Sequence, residues 1–227
     1  MNISGDHFQI YKLKMTEKVR RPPFVPSHPD PVLTHTRVLH NLLISECKYC
    51  PSSQDYMRLI QPDLAPHHRK IVTDWMLEVC EEQNCSPQVF LSSVQYLDRV
   101  LSQIPIKTGQ LQLLASSCLL LSSKLHDPRP LSLYNLVVLT DCSISMPELQ
   151  SMEMMVLEKL RWELASPTSS QFLVIIILNM ENILSNQVLS LVQKHASTFL
   201  ALAATEYKYY NVRPSLLLSK IIQTCIA

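Results

Sequence analysis

Glycine is almost absent from this chain, which has two glycines among 227 residues. An average protein contains about 7% glycine. Phosphate-binding loops and dinucleotide-binding turns need glycine, because glycine adopts positive φ angles at little cost. The HExxH motif of zinc proteases and the GxSxG motif of serine hydrolases are missing as well. These absences argue against the common enzyme folds, and they favour an all-α chain with a binding role.

The chain also lacks an excess of charge of one sign and any apolar run long enough to cross a membrane. Its formal net charge is +1, so it has no overall attraction to nucleic acid or to an anionic membrane surface. The long apolar runs at residues 111–125 and 172–180 are shorter than the roughly 20 residues of a membrane-spanning helix. We therefore expect neither nucleic acid nor a membrane as the partner.

The seven cysteines do not form a complete metal-binding pattern. Cys47-x-x-Cys50 could begin a zinc site with His67 and His68, but the second cysteine pair that would complete such a site is missing. Ordinary helix-end cysteines are the better interpretation, so we expect no metal and no cofactor. The odd number of cysteines and the absence of a signal peptide favour a reducing compartment.

The sequence is rich in helix-forming patterns, with 47% hydrophobic and 17% charged residues. Residues 111–125, LQLLASSCLLLSSKL, are apolar on nearly every side of a helical wheel. We expect this helix to be buried all round, at the centre of a bundle. The same periodicity predicts further helices at residues 31–47, 67–83, 87–101, 131–140, 145–160, 168–180, 187–204 and 214–226.

Local signals predict where several of these helices begin. Ser145 and Glu148 have the spacing of a capping box. Ser86 followed by Pro87 predicts an N-cap and a first helical residue. Thr108 is a candidate cap for the central helix, and the proline-containing residues 51–66 are predicted to be a loop.

The predicted organisation has three parts. Residues 1–30 are polar, then proline-rich, with scattered basic residues, and they predict an extended arm. A solvated tail is the simpler interpretation of these charges, and nuclear targeting is the alternative. Residues 31–165 form a first helix and a five-helix repeat, and residues 166–227 form a partial second repeat. With three helices, the second repeat is either incomplete or packed against the first.

Lys124 is the only charged residue within 111–125. One interpretation is a lysine whose stem lies on apolar surface while its ammonium reaches water. The other is a lysine at the edge of the bundle, paired with a carboxylate and presented to a partner, because an unpaired buried charge is costly.

Four segments, in order along the chain, resemble the cyclin box and in particular the D-type cyclins. They are HHRKIVTDWMLEVCEEQNC, VQYLDRVLSQIP, LQLLASSCLLLSSKL and ELQSMEMMVLEKLRWELASPT, and the similarity extends over residues 31–180. The family's hallmark positions are filled by the family's residue types at Arg69, Asp98, Leu113, Lys124 and Glu153.

This resemblance implies a regulatory subunit that binds and activates a cyclin-dependent protein kinase of the cell-cycle group and is not itself an enzyme. It also implies action in the nucleus and cytoplasm of the host cell. A cyclin-fold module of the transcription-factor type, which binds DNA and protein, is the alternative, although residues 31–227 show no dense Lys/Arg stripe. A plain helical scaffold is a third interpretation.

The resemblance also assigns roles to individual residues. Arg69, Asp98 and Leu113 are expected to be structural. The residues expected to bind the kinase are Lys124, Glu153, Leu121, Leu125, Met154, Leu157, Trp162 and Leu164, although Leu121, Leu157 and Leu164 could instead be core. The residues expected to dock Arg-x-Leu segments of substrates or inhibitors are His68, Ile71, Val72, Trp75, Leu111 and Gln112, and a core position is the alternative for Trp75.

Three departures from cellular D-type cyclins have a further implication. The chain has no Leu-x-Cys-x-Glu motif and no acidic tail, and His68 stands where many cyclins have methionine. These departures favour a virus-encoded homologue with altered inhibitor sensitivity, similar to gammaherpesvirus cyclins such as that of murine gammaherpesvirus.

Overall fold

The computed structural model describes residues 36–49, 55–181 and 183–226, and every regular element in these ranges is helical. The predicted arm at residues 1–30 and Cys50 lie outside the described residues. The helices are α1 Thr36–Tyr49, α2 Tyr56–Leu59, α3 Pro66–Glu82, α4 Pro87–Leu101, α5 Leu111–His126, α6 Leu133–Leu139, α7 Met146–Lys159, α8 Ser169–Met180, α9 Asn186–Thr205 and α10 Pro214–Ile226. The all-α prediction is confirmed.

Helix α5 is the centre of the fold, as its sequence predicts. It packs against α3, α4, α6 and α7, and Leu111 and residues 114–123 are buried. The buried serines satisfy their hydroxyl groups, since Ser122 donates to the carbonyl of Val89 at 2.7 Å and Ser123 to that of Leu120 at 2.8 Å. Small side chains with satisfied hydroxyls let the neighbouring helices approach α5 closely.

Some of the predicted N-caps are present in the structure. The Ser145–Glu148 capping box is present, with the amide of Ser145 donating to Glu148 Oε2 at 2.8 Å. Ser86 occupies the N-cap of α4, but its side chain makes no capping bond.

Two of the local predictions were wrong. The Thr108 hydroxyl donates to the carbonyl of Asp63 at 2.9 Å, and Gln110 is the N-cap of α5. Thr108 lies in a short 3₁₀ turn, which holds its side chain away from the first turn of α5. The loop predicted for residues 51–66 contains the one-turn helix α2, because the carboxylate of Asp55 accepts a hydrogen bond from the amide of Arg58 at 3.3 Å.

The described residues form two hydrophobic cores. The first bundle, α2 to α7, encloses the larger core. The second bundle, α8 to α10, has its own core, and Leu39 and Leu42 of α1 pack against it. The C-terminal part of α9 leans on the first bundle, where Ala201 and Ala204 pack against the larger core.

Helix α1 fastens the two bundles together. The carboxylate of Glu46 is buried and accepts hydrogen bonds from the Ser215 amide at 3.0 Å and the Ser215 hydroxyl at 2.6 Å, at the N-terminus of α10. A carboxylate is favourable there, because the first amides of a helix lack intrahelical acceptors. Three residues further along the chain, Tyr49 contacts the first bundle through Arg99, whose guanidinium lies 5.3 Å from the Tyr49 ring centroid.

We predict that Glu46→Ala lowers the free energy of unfolding by about 1–3 kcal/mol, because the half-buried amide and hydroxyl of Ser215 lose their acceptor. Urea unfolding followed by circular dichroism at pH 7 measures this change. Lys48→Ala is the matched control in the same helix: it removes the exposed ion pair with Glu163 and should leave the unfolding midpoint almost unchanged. Equal effects of the two substitutions would contradict the role assigned to Glu46.

Candidate functional site

The two charged residues singled out in the sequence meet at one edge of the first bundle. Lys124 lies in the last turn of α5, where that helix leaves the core, and Glu153 lies in the middle of α7. The Lys124 Nζ and Glu153 Oε1 atoms are 2.5 Å apart, although the residues are 29 positions apart in sequence. The side chain of Lys124 is 47% exposed and that of Glu153 is 13% exposed. The pair therefore offers an ammonium to the surface and holds a nearly covered carboxylate behind it.

Exposed apolar side chains adjoin the pair in sequence. Leu125 follows Lys124 and Met154 follows Glu153, and both are exposed. Trp162, beyond the end of α7, is 67% exposed. Leu164 is half-buried and packs against the first core, and its carbonyl accepts a hydrogen bond from the Tyr96 hydroxyl at 2.8 Å.

The backbone at Trp162 is strained. Arg161 and Trp162 have φ angles of 54° and 59°, in the left-handed region that residues with a Cβ disfavour. The amide of Trp162 donates to the carbonyl of Leu157 at 3.0 Å, which closes the end of α7. A large apolar side chain held outward on a strained backbone is a feature that clusters at binding sites.

Leu121 and Leu157 do not belong to an exposed surface. They are 4% and 7% exposed and lie in the larger core. We expected Leu121 and Leu157 to contact a partner directly, with a core position as the alternative. Their burial favours the core position for both residues. Each lies one turn from a member of the Lys124–Glu153 pair, so they support the pair from within.

The residues expected to form the peptide-docking patch are divided between surface and core. Ile71 is 65% exposed, and His68, Trp75 and Gln112 are half-buried. Val72 and Leu111 are buried in the larger core, so the expectation that they offer surface is corrected. They can form only the floor of a patch on α3 and α5, the two helices that carry these residues.

Arg69 and Asp98 pair with each other inside the first bundle. Arg69 Nε and Nη2 donate to the two oxygens of Asp98 at 2.7 and 2.8 Å. The same guanidinium donates to the carbonyls of Ala204 and Thr205 at 3.0 Å each. These carbonyls belong to the last turn of α9, where a cation is favourable because helix C-terminal carbonyls lack intrahelical donors. The pair therefore also fastens the second bundle to the first.

Sequence reasoning missed the aromatic cluster around this pair. The hydroxyl of Tyr56 donates to Asp98 Oδ1 at 2.7 Å, and burial together with the Asp98 charge raises the pKa of Tyr56 well above its usual value. The ring of Tyr56 packs edge-on against Tyr207 and Tyr210, with centroid distances of 5.4 and 5.0 Å. These tyrosines lie about 150 residues apart in sequence, so no local pattern could have joined them.

The described residues contain no group of three or more His, Cys, Asp or Glu side chains that could hold a metal ion. Within the same ranges, no helix is both long enough and apolar enough to cross a bilayer.

Comparison with known proteins identifies the family. The family model described as "Cyclin, N-terminal domain" matches residues 37–165. G1/S-specific cyclin-D3 of Bos taurus is 44% identical over 190 residues, which cover 83% of this chain and 64% of that protein. G1/S-specific cyclin-D2 of Xenopus laevis is 43% identical over 192 residues, which cover 84% of this chain and 65% of that protein. The matched region thus spans less than two thirds of the length of these relatives.

A solved structure shows that the fold is also similar to that of a cyclin. The X-ray structure of a viral cyclin from herpesvirus saimiri superposes with a TM-score of 0.75 and 26% sequence identity, covering 84% of this chain and 81% of that chain. The family match includes helices α2 to α7 and both members of the Lys124–Glu153 pair. The chain therefore belongs to the cyclin family.

Proposed function

We propose that this chain binds and activates a cyclin-dependent protein kinase of the cell-cycle group, without catalysing a reaction itself. The observation that carries the proposal is the ion pair between Lys124 and Glu153, placed at a bundle edge with exposed apolar neighbours. The D-type cyclins among the relatives support a kinase that acts at the G1/S stage.

The ion pair contributes little to the stability of the isolated chain. A pair with an exposed member contributes about 0–1 kcal/mol net to stability, because water competes for the exposed ammonium and covering the carboxylate carries its own desolvation cost. The Lys124 ammonium has three donor hydrogens and the Glu153 carboxylate has four acceptor positions, and their mutual bond uses one of each. The remaining donors and acceptors suit the backbone groups at the end of a partner's helix.

The apolar neighbours supply the rest of the proposed kinase-binding surface. Leu125, Met154 and Trp162 expose large side chains that lose contact with water when a partner covers them. Stable interfaces bury about 1,600 Å² in total and gain most of their affinity from a few central anchors, among which tryptophan is frequent. In this proposal Trp162 is such an anchor, and Leu164 borders it.

Activation follows from preferential binding to one kinase conformation. A kinase is active when a glutamate of its αC helix pairs with the lysine that contacts ATP phosphates. A protein that binds this conformation better shifts the kinase population toward it. A shift from 1:99 to 99:1 needs a differential affinity of about 5.5 kcal/mol. We propose that the kinase-binding surface supplies this difference by holding the αC helix inward.

We also propose that the chain is virus-encoded and has altered inhibitor sensitivity. The similarity to the herpesvirus saimiri cyclin supports a viral origin, and a murine gammaherpesvirus source stays a prediction. His68 supports the altered sensitivity, because its Nδ1 accepts a hydrogen bond from the Ala65 amide at 3.0 Å, across the start of α3. An imidazole held in this way adapts less to an incoming leucine than a flexible methionine does.

Action in the nucleus and cytoplasm of the host cell stays part of this proposal. So does the capture of Arg-x-Leu segments by the patch that contains Ile71, Trp75 and Gln112. A fluorescent fusion followed in infected and uninfected cells would test the first of these statements.

We predict that the double variant Lys124→Ala/Glu153→Ala loses activation of a purified cell-cycle kinase. The variant lacks the charged groups proposed to bind the kinase helix, and hydrogen bonds to charged groups contribute about 1.5–3 kcal/mol each. Histone phosphorylation by the kinase, with the chain titrated, measures the loss, and the helical circular dichroism spectrum should be unchanged. The matched control is Lys70→Ala/Glu206→Ala, which removes another exposed Lys–Glu pair, with 2.8 Å between Nζ and Oε1. This control should activate normally, and full activation by the first variant would refute the mechanism.

We predict an asymmetry in the stability of the two single variants. Lys124→Ala leaves the nearly covered carboxylate of Glu153 without its partner, which should cost about 1–3 kcal/mol. Glu153→Ala leaves a half-exposed ammonium that water can solvate, so its cost should stay below about 1 kcal/mol. Urea unfolding of both variants measures the difference, and the reverse order would contradict the burial pattern of the pair.

We predict that His68→Met tightens binding of an Arg-x-Leu peptide by about threefold or more, a change of roughly 0.7 kcal/mol. Calorimetric titration of the peptide into each protein gives the affinities. His68→Gln is the control, because glutamine at this position keeps a side-chain acceptor for the Ala65 amide without the shape of methionine. Equal affinities of wild type and His68→Met would remove His68 as a determinant of inhibitor capture.

A further inference from the structure

The end of helix α3 brings two cysteines together. Asn84 follows the C-cap residue Gln83 and has a left-handed φ of 49°. Its amide donates to the carbonyl of Glu81 at 3.1 Å, and the amide of Cys85 donates to the carbonyl of Cys80 at 2.9 Å. These two bonds define a Schellman motif, in which the side chains three positions before the cap and two positions after it usually touch. In this chain those side chains are Cys80 and Cys85.

The capping motif therefore places the side chains of Cys80 and Cys85 beside each other, and the neighbouring Cys85 raises the pKa of the Cys80 thiol. Because the capping motif fixes the backbone on both sides, this contact does not depend on a flexible loop. Cys80 is buried and Cys85 is half-buried. A disulfide requires a sulfur–sulfur distance of about 2.04 Å, and the capping motif already brings the two cysteines to neighbouring positions.

Both cysteines line a cavity of about 450 Å³ between the α3–α4 corner and α9. Its other walls include Leu77, Phe90 and Leu200. The cavity gives small solutes a route to the two sulfurs, since hydrogen peroxide is little larger than water.

We propose that Cys80 and Cys85 are a modification site, at which a peroxide oxidises the pair to an intramolecular disulfide. The thiolate of Cys85 attacks one peroxide oxygen, so an S–O bond forms, the O–O bond breaks and hydroxide leaves. That hydroxide becomes water by taking up the proton that Cys85 released. Cys80 then attacks the sulfur of the resulting sulfenic acid, so the S–S bond forms and the S–O bond breaks. The departing hydroxide takes up the proton of Cys80 as water. Two thiols and one peroxide thus give one disulfide and two waters.

The surroundings of the two sulfurs set the order of these steps. The hydrogen bond to Cys85 and burial raise the pKa of Cys80 well above its usual value. Cys80 therefore remains a thiol at neutral pH, and the thiolate is the reactive form. Cys85 is the more accessible sulfur, so it is attacked by peroxide first and Cys80 resolves the intermediate.

Two other cysteines provide internal controls in the same chain. Cys118 is completely buried in the larger core, where burial raises the pKa of its thiol, so peroxide should leave it reduced. Cys142 is exposed and can be oxidised, but its product should be a sulfenic or sulfinic acid. Among the cysteines of residues 36–49, 55–181 and 183–226, the pair at the end of α3 is the one that should yield an internal disulfide under conditions that leave the protein monomeric.

The reduced full chain is treated with hydrogen peroxide, quenched with N-ethylmaleimide, digested with trypsin and analysed by mass spectrometry. Residues 71–99 should form one peptide that has lost two hydrogens and carries no maleimide. Dithiothreitol should restore both sites for labelling. A peptide that still takes up two maleimides, when Cys142 is already oxidised in the same sample, would overturn the proposal.

Two conservative variants test the order of attack. In Cys80→Ser, dimedone should trap a sulfenic acid at Cys85, because no resolving thiol is present. In Cys85→Ser, Cys80 should stay reduced during peroxide treatment and react with maleimide once the protein is unfolded. Cys142→Ser is the control, and it should form the disulfide as the wild type does. Trapping of a sulfenic acid at Cys80 in Cys85→Ser, with none at Cys85 in Cys80→Ser, would contradict the proposed order.

Discussion

Helix α5 is surrounded by other helices on every side, and this burial determines where the chain can place a charge. Within α5 the buried stretch runs from Leu114 to Ser123, and Lys124 is the first residue after it whose side chain reaches the surface. A charge earlier in the helix would be desolvated without a partner, at a cost of several kcal/mol. Because α7 packs along α5, the same constraint brings Glu153 to the point where the lysine emerges. The candidate site is therefore a consequence of how the core is packed.

A second polar pair keeps the two bundles in one arrangement. Arg69 is almost completely buried, and a buried ion pair is stable only when its remaining hydrogen-bonding groups are satisfied. The carbonyls of Ala204 and Thr205 and the hydroxyl of Tyr56 satisfy them. Since two of these three groups belong to the end of α9, separating the bundles would leave the guanidinium short of acceptors. The buried carboxylate of Glu46 holds α1 to the start of α10, and Tyr49 of the same helix contacts Arg99 of the first bundle.

The sequence predicts the fold better than it predicts the contacts. Residues 111–125 predict a buried helix because the apolar pattern lies within one short segment. The capping box at Ser145 can be recognised for the same reason. The contacts of Glu46 with Ser215 and of Tyr56 with Tyr207 join distant segments, and no periodic signal connects them. Leu121 and Leu157 look the same in sequence as Leu125 and Met154. The packing of α5 and α7 alone decides which of these four residues is buried, so a surface could not be separated from a core before the structure.

The central claim is that a kinase covers the edge of the first bundle at which Lys124 and Glu153 meet. A photo-crosslinking phenylalanine analogue placed at Leu125 or Met154, in separate proteins mixed with a purified cell-cycle kinase, tests it most directly. Both positions are exposed, as is Leu191 on α9, which serves as the control. Covalent adducts with the kinase from positions 125 and 154, and none from position 191, are the predicted result. Adducts from position 191 alone would contradict the account.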